Sequence, residues 1–310
     1  GVLACSARGG RQVEGALVVT SCGPALVTGR QIIDASGDGD LAAWAGSPYT
    51  YGTQRDESTL WYSFAHFHKV YGNKLTTGAS RTYASVVDQR SLADTTRAII
   101  AGRRHVGMFG EAEYPQYYLA PRESRHIAGR ATVTYRDVLT GRGWPDLALV
   151  ARANFDIKGL ASSDLAMCGF VEWDFVGNYD APIPYSALLP VSLDNLLVIG
   201  KAYSITHDAL SLARMQTDLI AMGGMAALAA GQCLNARRNL ADADVPALQE
   251  SLLAYGVLTG EDLETRRTPQ PLVAPQPADV VVRIVAGEAT LAEQVGLLAQ
   301  GPTVIPLLRD

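Results

Sequence analysis

The segment that most constrains this chain, residues 182–231, contains an apolar run followed by a helix of small residues. Asn195–Gly200 (NLLVIG) is a short apolar run bounded by turn signals, which predicts a buried strand. A loop of small and polar residues follows, and Arg214–Ala230 then predicts a helix rich in Ala, Gly and Met. Gly223 and Gly224 would each cost such a helix about 1 kcal/mol relative to Ala, which indicates that another backbone or a flat group packs closely against it. In α/β proteins, a strand, a loop and a small-residue helix bring a helix N-terminus to a ligand.

Three ordered stretches of the chain carry a family resemblance. They are Ile32–Gly46 (IIDASGDGDLAAWAG), Arg122–Asp137 (RESRHIAGRATVTYRD) and Asn195–Ala230 (NLLVIGKAYSITHDALSLARMQTDLIAMGGMAALAA). Together they resemble the motifs of the FAD-dependent oxidoreductase family that includes flavoproteins labelled xanthan-lyase-like. The wider relatives have a glutathione-reductase-like, Rossmann-type fold. The resemblance implies that FAD is the cofactor and that hydride or electron transfer through flavin acts on an unidentified small organic substrate.

The same resemblance implies a domain organisation. The expected fold class is α/β, with a Rossmann-like FAD-binding domain that is incomplete at its N-terminus. Residues 1–46 and 182–240 would form that domain, and residues 47–181 would be an inserted α+β or β substrate domain. Residues 241–310 would be a short helical tail containing a proline-rich linker, Pro269–Pro277.

A glycine motif follows the first predicted α/β strand. Residues 37–42 have the spacing G-x-G-x-x-A, and Asp56 lies roughly 20 residues further on, as in a dinucleotide fingerprint. Asp38 and Asp40 lie inside this turn, where they would repel a pyrophosphate. A pyrophosphate loop, a secondary cofactor contact and a plain strand-to-helix turn all stay open as interpretations. No other G-x-G-x-x-G occurs in the sequence, so the pyrophosphate segment that the resemblance implies is not present in it. Two expectations stay open: a second chain supplies that segment, or the chain is a truncated product.

Arginine and histidine side chains supply the candidate chemistry. Arg122, Arg125 and His126 form a local cationic cluster, and arginine forks bind carboxylates or phosphates bidentately. These residues either contact the substrate or flavin, or pair structurally with Glu123 and its neighbours. His207 is either a proton donor near the flavin ring or a loop histidine bonded to backbone. The candidate catalytic residues are His207, Arg122, Arg125 and His126.

The cofactor-binding residues are inferred from the resemblance. The N-terminus of the Arg214 helix would face the flavin, where its partial charge of about +0.5 would stabilise the anionic reduced ring. The predicted cofactor-binding residues are Ser36, Gly37, Asp38, Gly39, Gly200, Lys201, Arg214, Met215, Gln216 and Thr217.

Composition and charge exclude several classes of partner. A net charge of −5 without a dense Lys/Arg block argues against a nucleic-acid partner. No apolar run is long and charge-free enough to predict a membrane span, and the Arg214–Ala230 helix is interpreted as a buried core helix. The cysteines are Cys5, Cys22, Cys168 and Cys233. None has a metal-ligand or C-x-x-C spacing, which favours buried or inert thiols in a reducing, cytoplasmic compartment.

Metal binding is not expected either. His66 and His68 would share one face of a strand, but no nearby Cys, Asp or Glu completes a ligand set.

Periodicity predicts further elements. The predicted strands are Gln12–Thr20, Ala25–Thr28, Gln31–Ala35 and Trp61–Phe67; the predicted helices are Tyr83–Gly102 and Val245–Tyr255, with a loop and helix over Asp137–Phe155.

Two function classes stay open. The three motifs favour an FAD-dependent oxidoreductase. The lack of a second glycine-rich loop favours a non-catalytic fragment or interaction module that keeps the fold and has lost autonomous FAD binding. The sequence contains no G-x-S-x-G nucleophile elbow, which argues against a hydrolase.

Overall fold

A computed structural model of the chain shows a mixed α/β architecture of helices and small sheets. It describes residues 2–8, 10–65, 70–71, 74–75, 80–82, 85–104, 118–163, 166, 178–266, 276–289, 291–298 and 301–308. The strands are β1 Val2–Arg8, β2 Gln12–Thr20, β3 Gly23–Thr28, β4 Ile32–Asp34, β5 Tyr49–Tyr51, β6 Ser63–Ala65, β7 Val70–Tyr71, β8 Lys74–Leu75, β9 Ser80–Thr82, β10 Tyr118–Ala120, β11 Arg125–Ile127, β12 Leu147–Asn154, β13 Asn178–Pro184 and β14 Leu196–Val198. The α-helices are α1 Asp40–Trp44, α2 Leu92–Arg104, α3 Tyr135–Leu139, α4 His207–Leu210, α5 Gln216–Ala236, α6 Val245–Ala254, α7 Gly260–Arg266, α8 Pro277–Val285 and α9 Leu291–Leu298. Short 3-10 turns cover Tyr185–Ala187, Gly200–Ala202, Leu240–Asp242 and Gly301–Leu308.

A parallel pair of strands, β4 and β14, organises the part of the fold that matters for the site. Leu196 pairs with Ile32 and Val198 pairs with Asp34. Strand β14 is buried on both faces: Leu197 packs into the cluster that contains α5 and β12, while Leu196 packs into a second cluster with α1. An apolar run without alternation is what a strand covered on both faces requires. The predicted strand over Asn195–Gly200 is therefore confirmed, in a shorter form.

An antiparallel meander of β1, β2 and β3 precedes this pair. The predictions for Gln12–Thr20 and for its return strand are confirmed, although β3 begins earlier, at Gly23. The meander is fastened to β14 by Asn195, a buried residue whose amide exchanges hydrogen bonds with the Val13 backbone, at 2.9 Å for the donor and 2.9 Å for the acceptor. This side chain thus links the N-terminal strands to the parallel pair.

The prediction of a helix near Asp137–Phe155 was wrong. The chain forms the short helix α3 and then the strand β12, which pairs antiparallel with β13. Residues 147–151 are buried without interruption. Periodicity cannot distinguish such a run from a buried helix, so pairing with β13 decides the structure.

The predicted helix over Tyr83–Gly102 begins later, at Leu92. The Ser91 hydroxyl accepts a hydrogen bond from the Asp94 backbone N–H at 3.2 Å. That contact is the N-cap arrangement that starts a helix, so residues 85–91 lie outside it.

Helix α5 is shifted relative to its prediction over Arg214–Ala230, because it begins at Gln216 and continues to Ala236. One face is buried through residues such as Met222 and Met225, while Ile220 on the other face is 75% exposed. A Cβ added at Gly223 or Gly224 would meet no atom within 4 Å. The described part of the chain therefore does not supply the closely packed backbone that these glycines predicted.

By length and composition alone, α5 could cross a membrane, and it is the single helix among the described ranges with that property. Buried helices of globular cores have the same length and composition, so this is weak evidence.

The C-terminal region is helical. Helix α6 confirms the prediction over Val245–Tyr255 within one residue. Val280, Leu297 and Val304 form a small apolar cluster of their own, formed by α8, α9 and the last 3-10 turn. His66, His68, Cys168 and most of the predicted linker lie outside the described residues.

Candidate functional site

The loops that follow β4 and β14 meet at the carboxyl ends of these parallel strands. Gly37 and Gly200 both have positive φ, at 84° and 88°. A Cβ on Gly200 would lie 3.7 Å from the Cα of Gly37, so the two backbones approach closely. The Nζ of Lys201 donates to the Gly37 carbonyl at 2.7 Å and also forms an ion pair with Asp38. The predicted cofactor residues of two distant motifs therefore form one loop pair, at the sheet edge where open α/β folds bind ligands.

Asp34 at the end of β4 fixes the shape of the first loop. Its carboxylate is buried and accepts hydrogen bonds from the Ser36 and Ala42 backbone N–H groups, at 3.0 and 2.9 Å. The Ser36 hydroxyl in turn accepts from the backbone N–H of Asp40 at 2.9 Å. The loop is thus folded around a side chain that precedes it.

The motif of residues 122–137 joins the same loop pair through two neighbouring side chains. Ser124 donates to the Asp38 carboxylate at 2.5 Å. Arg125 donates to the Asp38 carbonyl at 3.0 Å and to the Asp40 carboxylate at 2.7 Å. The carboxylates that were expected to repel a pyrophosphate are therefore each paired with a cation, Asp38 with Lys201 and Asp40 with Arg125.

Glu123 connects the two candidate histidines and is completely buried. Its Oε1 atom lies 2.7 Å from His126 Nε2, and its Oε2 atom lies 2.7 Å from His207 Nδ1. The Leu60 backbone N–H also donates to Oε2, at 2.7 Å. Burial opposes ionisation of Glu123, but the hydrogen bonds and charges of the histidines outweigh it and lower its pKa to about 2. Glu123 is therefore an anion that only accepts hydrogen bonds.

His207 consequently carries a proton on each ring nitrogen. Its Nδ1 faces the Glu123 carboxylate, and its Nε2 lies 2.9 Å from the Leu160 carbonyl, which can only accept. Burial alone would lower the pKa of His207, yet the Glu123 carboxylate raises it above the ordinary value. His207 is therefore an imidazolium in a buried ion pair with Glu123. The sequence offered two alternatives for it, a proton donor near the flavin ring and a histidine bonded to backbone, and neither included Glu123.

His126 differs from His207 in one respect. Its Nε2 donates to Glu123, while its buried Nδ1 has no hydrogen-bond partner within the described part of the chain. His126 borders a cavity of about 550 Å³.

Arg122 and Arg214 form a second cationic group. Arg122 donates to the Trp61 carbonyl at 2.6 Å and to the Ser63 hydroxyl at 2.5 Å. Arg214 donates to the Asp156 carbonyl at 3.1 Å. Burial first, and then the charge of Arg122, lower the pKa of Arg214 to about 10. Two desolvated guanidinium groups thus lie close together, just before the N-terminus of α5.

The N-terminus of α5 is open. Met215 is the N-cap residue and its side chain makes no capping hydrogen bond. Gln216 and Thr217 are exposed. The first N–H groups of a helix lack acceptors within the helix and carry partial positive charge. This end of α5 can therefore receive an anionic or hydrogen-bond-accepting group.

Among the described residues, no group of three or more His, Cys, Asp or Glu side chains could hold a metal ion. Cys22 is exposed and Cys233 is buried, and both are free thiols.

The structure brings the predicted residues into three groups, the first being His126 and His207, which share the Glu123 carboxylate. Ser36–Gly39, Gly200, Lys201 and Arg125 belong to the loop pair, while Arg122 and Arg214 belong to the second cationic group beside Met215–Thr217. From the sequence, Glu123 was expected only as a structural partner of Arg122, Arg125 or His126, and the structure shows that pairing for His126. Asp34 and the contact between Glu123 and His207 were not predicted. The spacing of Glu123 and His126, three residues apart, was the available signal for their contact.

The fold is mixed α/β, and its small sheets and helices are consistent with an FAD-binding family. The model of one family, described as FAD dependent oxidoreductase, matches residues 2–105 and 73–252. The chain belongs to this family, whose members are flavin oxidoreductases and whose name implies FAD binding. No curated protein and no solved structure matches the chain.

Proposed function

We propose that the chain binds FAD along the carboxyl ends of β4 and β14, within a Rossmann-like domain, and transfers a hydride or electrons between flavin and a small organic substrate. The observation that carries this proposal is the contact between the Gly37 and Gly200 loops. Glycine has no Cβ atom, so the two backbones can approach each other closely. Glycine at such positions leaves room for a ligand next to the backbone. Family membership supports the cofactor, and the geometry supports its location.

The residues at this edge suit the parts of FAD. Backbone N–H groups of residues 37–39 and 200–201, with the Lys201 ammonium, would hold polar groups of the cofactor. The open N-terminus of α5, formed by Met215, Gln216 and Thr217, would face the flavin ring, and its partial charge of about +0.5 would stabilise negative charge there. FAD supplies the redox chemistry, while the protein orients it and tunes its electrostatics.

The cationic side chains have different roles in this proposal. Arg125 is a positioning residue, because Asp38 and Asp40 already hold it. Arg122 and Arg214 would create a positive potential beside the N-terminus of α5, and this potential would stabilise an anionic substrate or the reduced cofactor. His207 would act as a fixed cation through its ion pair with Glu123.

The domain boundaries follow as part of the same proposal. Residues 47–181 would be a substrate domain inserted between two parts of the FAD-binding domain, 1–46 and 182–240, and residues 241–310 would be a helical tail. A G-x-G-x-x-G segment outside these residues, for example on a second chain, would pack against this domain. The open outer face of α5, with Gly223 and Gly224, supports this contact because another backbone can approach there.

Flavin binding can be measured directly. The purified chain should show a flavin absorption band, or quench the fluorescence of added FAD on titration. Replacement of Lys201 by Met should weaken FAD binding by about tenfold or more, since a charge-assisted contact is worth about 1.5–3 kcal/mol. The control is Arg30→Met, which removes an exposed cation near the amino end of β4.

Two outcomes would count against the proposal. Equal FAD affinity in the Lys201→Met and Arg30→Met variants would remove the cofactor from the loop pair. A wild-type chain that binds no added FAD, alone or as purified, would favour the non-catalytic fragment or interaction module.

A further inference from the structure

The Asp38 carboxylate joins all three motifs at the loop pair. It belongs to the first motif, and its Oδ1 atom accepts hydrogen bonds from the Lys201 ammonium of the third motif and from the Ser124 hydroxyl of the second, the latter at 2.5 Å. Its Oδ2 atom makes no hydrogen bond within the described residues. Both contacts of this side chain therefore depend on a single oxygen atom.

Lys201 is held by two hydrogen bonds to the first loop. An ammonium group has three N–H donors, and two of those on Lys201 reach the Gly37 carbonyl, at 2.7 Å, and the Asp38 carboxylate. The loop that carries these acceptors is itself fixed, because the buried Asp34 carboxylate folds it. The third N–H has no partner among the described residues. Its direction follows from the other two, because the ammonium is tetrahedral.

Asp38 has two opposite effects on an anionic cofactor. Its negative charge repels phosphate groups, and this lowers the affinity. Its contact with Lys201 restricts a long side chain that would otherwise lose its rotamer freedom when the cofactor binds, and this raises the affinity. The first effect depends only on the charge, whereas the second depends on the position of an oxygen atom. Two substitutions that remove the same charge can therefore separate the two effects.

We propose that Asp38 is a positioning residue that acts through Lys201: its Oδ1 atom holds the ammonium in the orientation in which the remaining N–H meets a polar group of FAD. The inference rests on the proposed function for the identity of the ligand. It goes beyond that function by giving a favourable role to a carboxylate that net charge alone would count against the cofactor. Ser124 has a smaller role, because it holds Asp38 and does not contact Lys201.

Asparagine and alanine at position 38 provide the test. Both variants lack the charge, but Asp38→Asn keeps an oxygen for Lys201 and Ser124 and places its N–H₂ group where Oδ2 has no partner. FAD titration should give a dissociation constant about threefold to tenfold higher for Asp38→Ala than for Asp38→Asn, which is the effect expected from one immobilised side chain. In a Lys201→Met background, the same two substitutions should differ by less than about twofold, because the residue through which they act is absent.

Asp194 supplies the matched control. Its carboxylate is also held by two cations, Arg11 and Arg130, but it lies before the amino end of β14, at the opposite end of that strand from the loop pair. The Asp194→Asn and Asp194→Ala variants should therefore bind FAD with equal affinity. Equal dissociation constants for Asp38→Asn and Asp38→Ala would overturn the proposal, and so would a difference between them that persists in the Lys201→Met background.

Amine labelling of the FAD-free chain gives a readout that is independent of the flavin proposal. Mass spectrometry after acetylation should find Lys201 modified faster in Asp38→Ala than in Asp38→Asn, because only the second variant still holds the amine. Lys158, which pairs with Asp156, should react equally in both and serves as the internal reference. Equal rates at Lys201 would show that Asp38 does not hold this residue and would overturn the proposal. If the wild-type chain bound no FAD but the labelling difference were present, the proposed function alone would fail, and the positioning of Lys201 by Asp38 would stand.

Discussion

Replacing Glu123 by Gln tests the ion pair on which the candidate site is built. The substitution keeps the size of the side chain but removes its charge and places an N–H₂ group opposite groups that donate. His126, His207 and the Leu60 backbone N–H all donate to this carboxylate, and each donor–acceptor distance is 2.7 Å. If the amide N–H₂ takes the place of Oε2, it faces the His207 and Leu60 donors; if it takes the place of Oε1, His126 must change tautomer to accept from it. In both orientations His207 loses its charged partner.

The magnitude follows from burial. Glu123 is 0% exposed and His207 is 3% exposed, so water cannot compensate for the lost charge. Breaking a buried pair by removing one partner costs about 3–5 kcal/mol, a large part of the roughly 5–15 kcal/mol that stabilises a typical domain. The control Glu250→Gln alters an exposed side chain on α6 and should change the free energy of unfolding by less than about 0.5 kcal/mol.

The pKa shifts predict at which pH the free energies of unfolding of wild type and variant differ most. The folded-state pKa of Glu123 lies below its ordinary 4.5, so its contribution to stability is present above 4.5 and is lost as the pH falls towards about 2. The folded-state pKa of His207 lies above its ordinary 6.5, so its contribution is complete below 6.5 and is lost as the pH rises through the raised value. Urea unfolding of wild type and variant should therefore differ most between pH 4.5 and 6.5, and less on either side.

Two results would refute this reasoning. One is a Glu123→Gln variant within about 1 kcal/mol of wild type in that pH window, well below the cost of an orphaned buried charge. The other is a nitrogen NMR spectrum in which His207 is a neutral tautomer in the same window.

Three further substitutions test hydrogen bonding and packing, and thermal or urea unfolding checks each of them. Asn195→Ala removes the amide that exchanges hydrogen bonds with Val13, and should cost about 3 kcal/mol by leaving buried backbone groups unpaired. Gly224→Ala should stabilise the isolated chain by about 1 kcal/mol, because its Cβ would point into open space on a helix. Gly129→Ala is the contrasting case and should destabilise by about 1–3 kcal/mol, since its Cβ would lie 2.6 Å from that of Ser204. If Gly224→Ala destabilised the chain, or if Gly129→Ala left its stability unchanged, the space around these two glycines would differ from the space that the structure shows.

The sequence predicted the parts of the fold in which local signals agree with tertiary packing. The apolar run before Gly200 is a strand because it is covered on both faces, and the small-residue stretch after Arg214 is a helix. The prediction failed at residues 147–154, where a strand and a buried helix have the same composition. There the partner strand β13 decides the structure, and such long-range pairing leaves no signature in a local window.

The candidate site shows the same limit. Motif similarity selected Lys201 and Asp38, which the structure places in contact, but it could not identify that contact because the residues are 163 positions apart. Glu123 was noted as a possible structural partner for the arginines and for His126, and the His126 contact is present. Its role depends on His207, which lies 84 positions away.

The acidic loop after β4 shows why composition misleads at such a site. Taken alone, Asp38 and Asp40 argue against any phosphate or anionic ring nearby. In the fold, Lys201 and Arg125 arrive from two other segments and pair with them, so the charges of these four side chains cancel. A neutral loop pair can attract an anionic cofactor only weakly through net charge. In the proposed site, affinity would then come from directional donors: the backbone N–H groups at the glycines, the third N–H of the Lys201 ammonium and the open N-terminus of α5. Such donors fix the position of a ligand more strictly than a diffuse positive patch would.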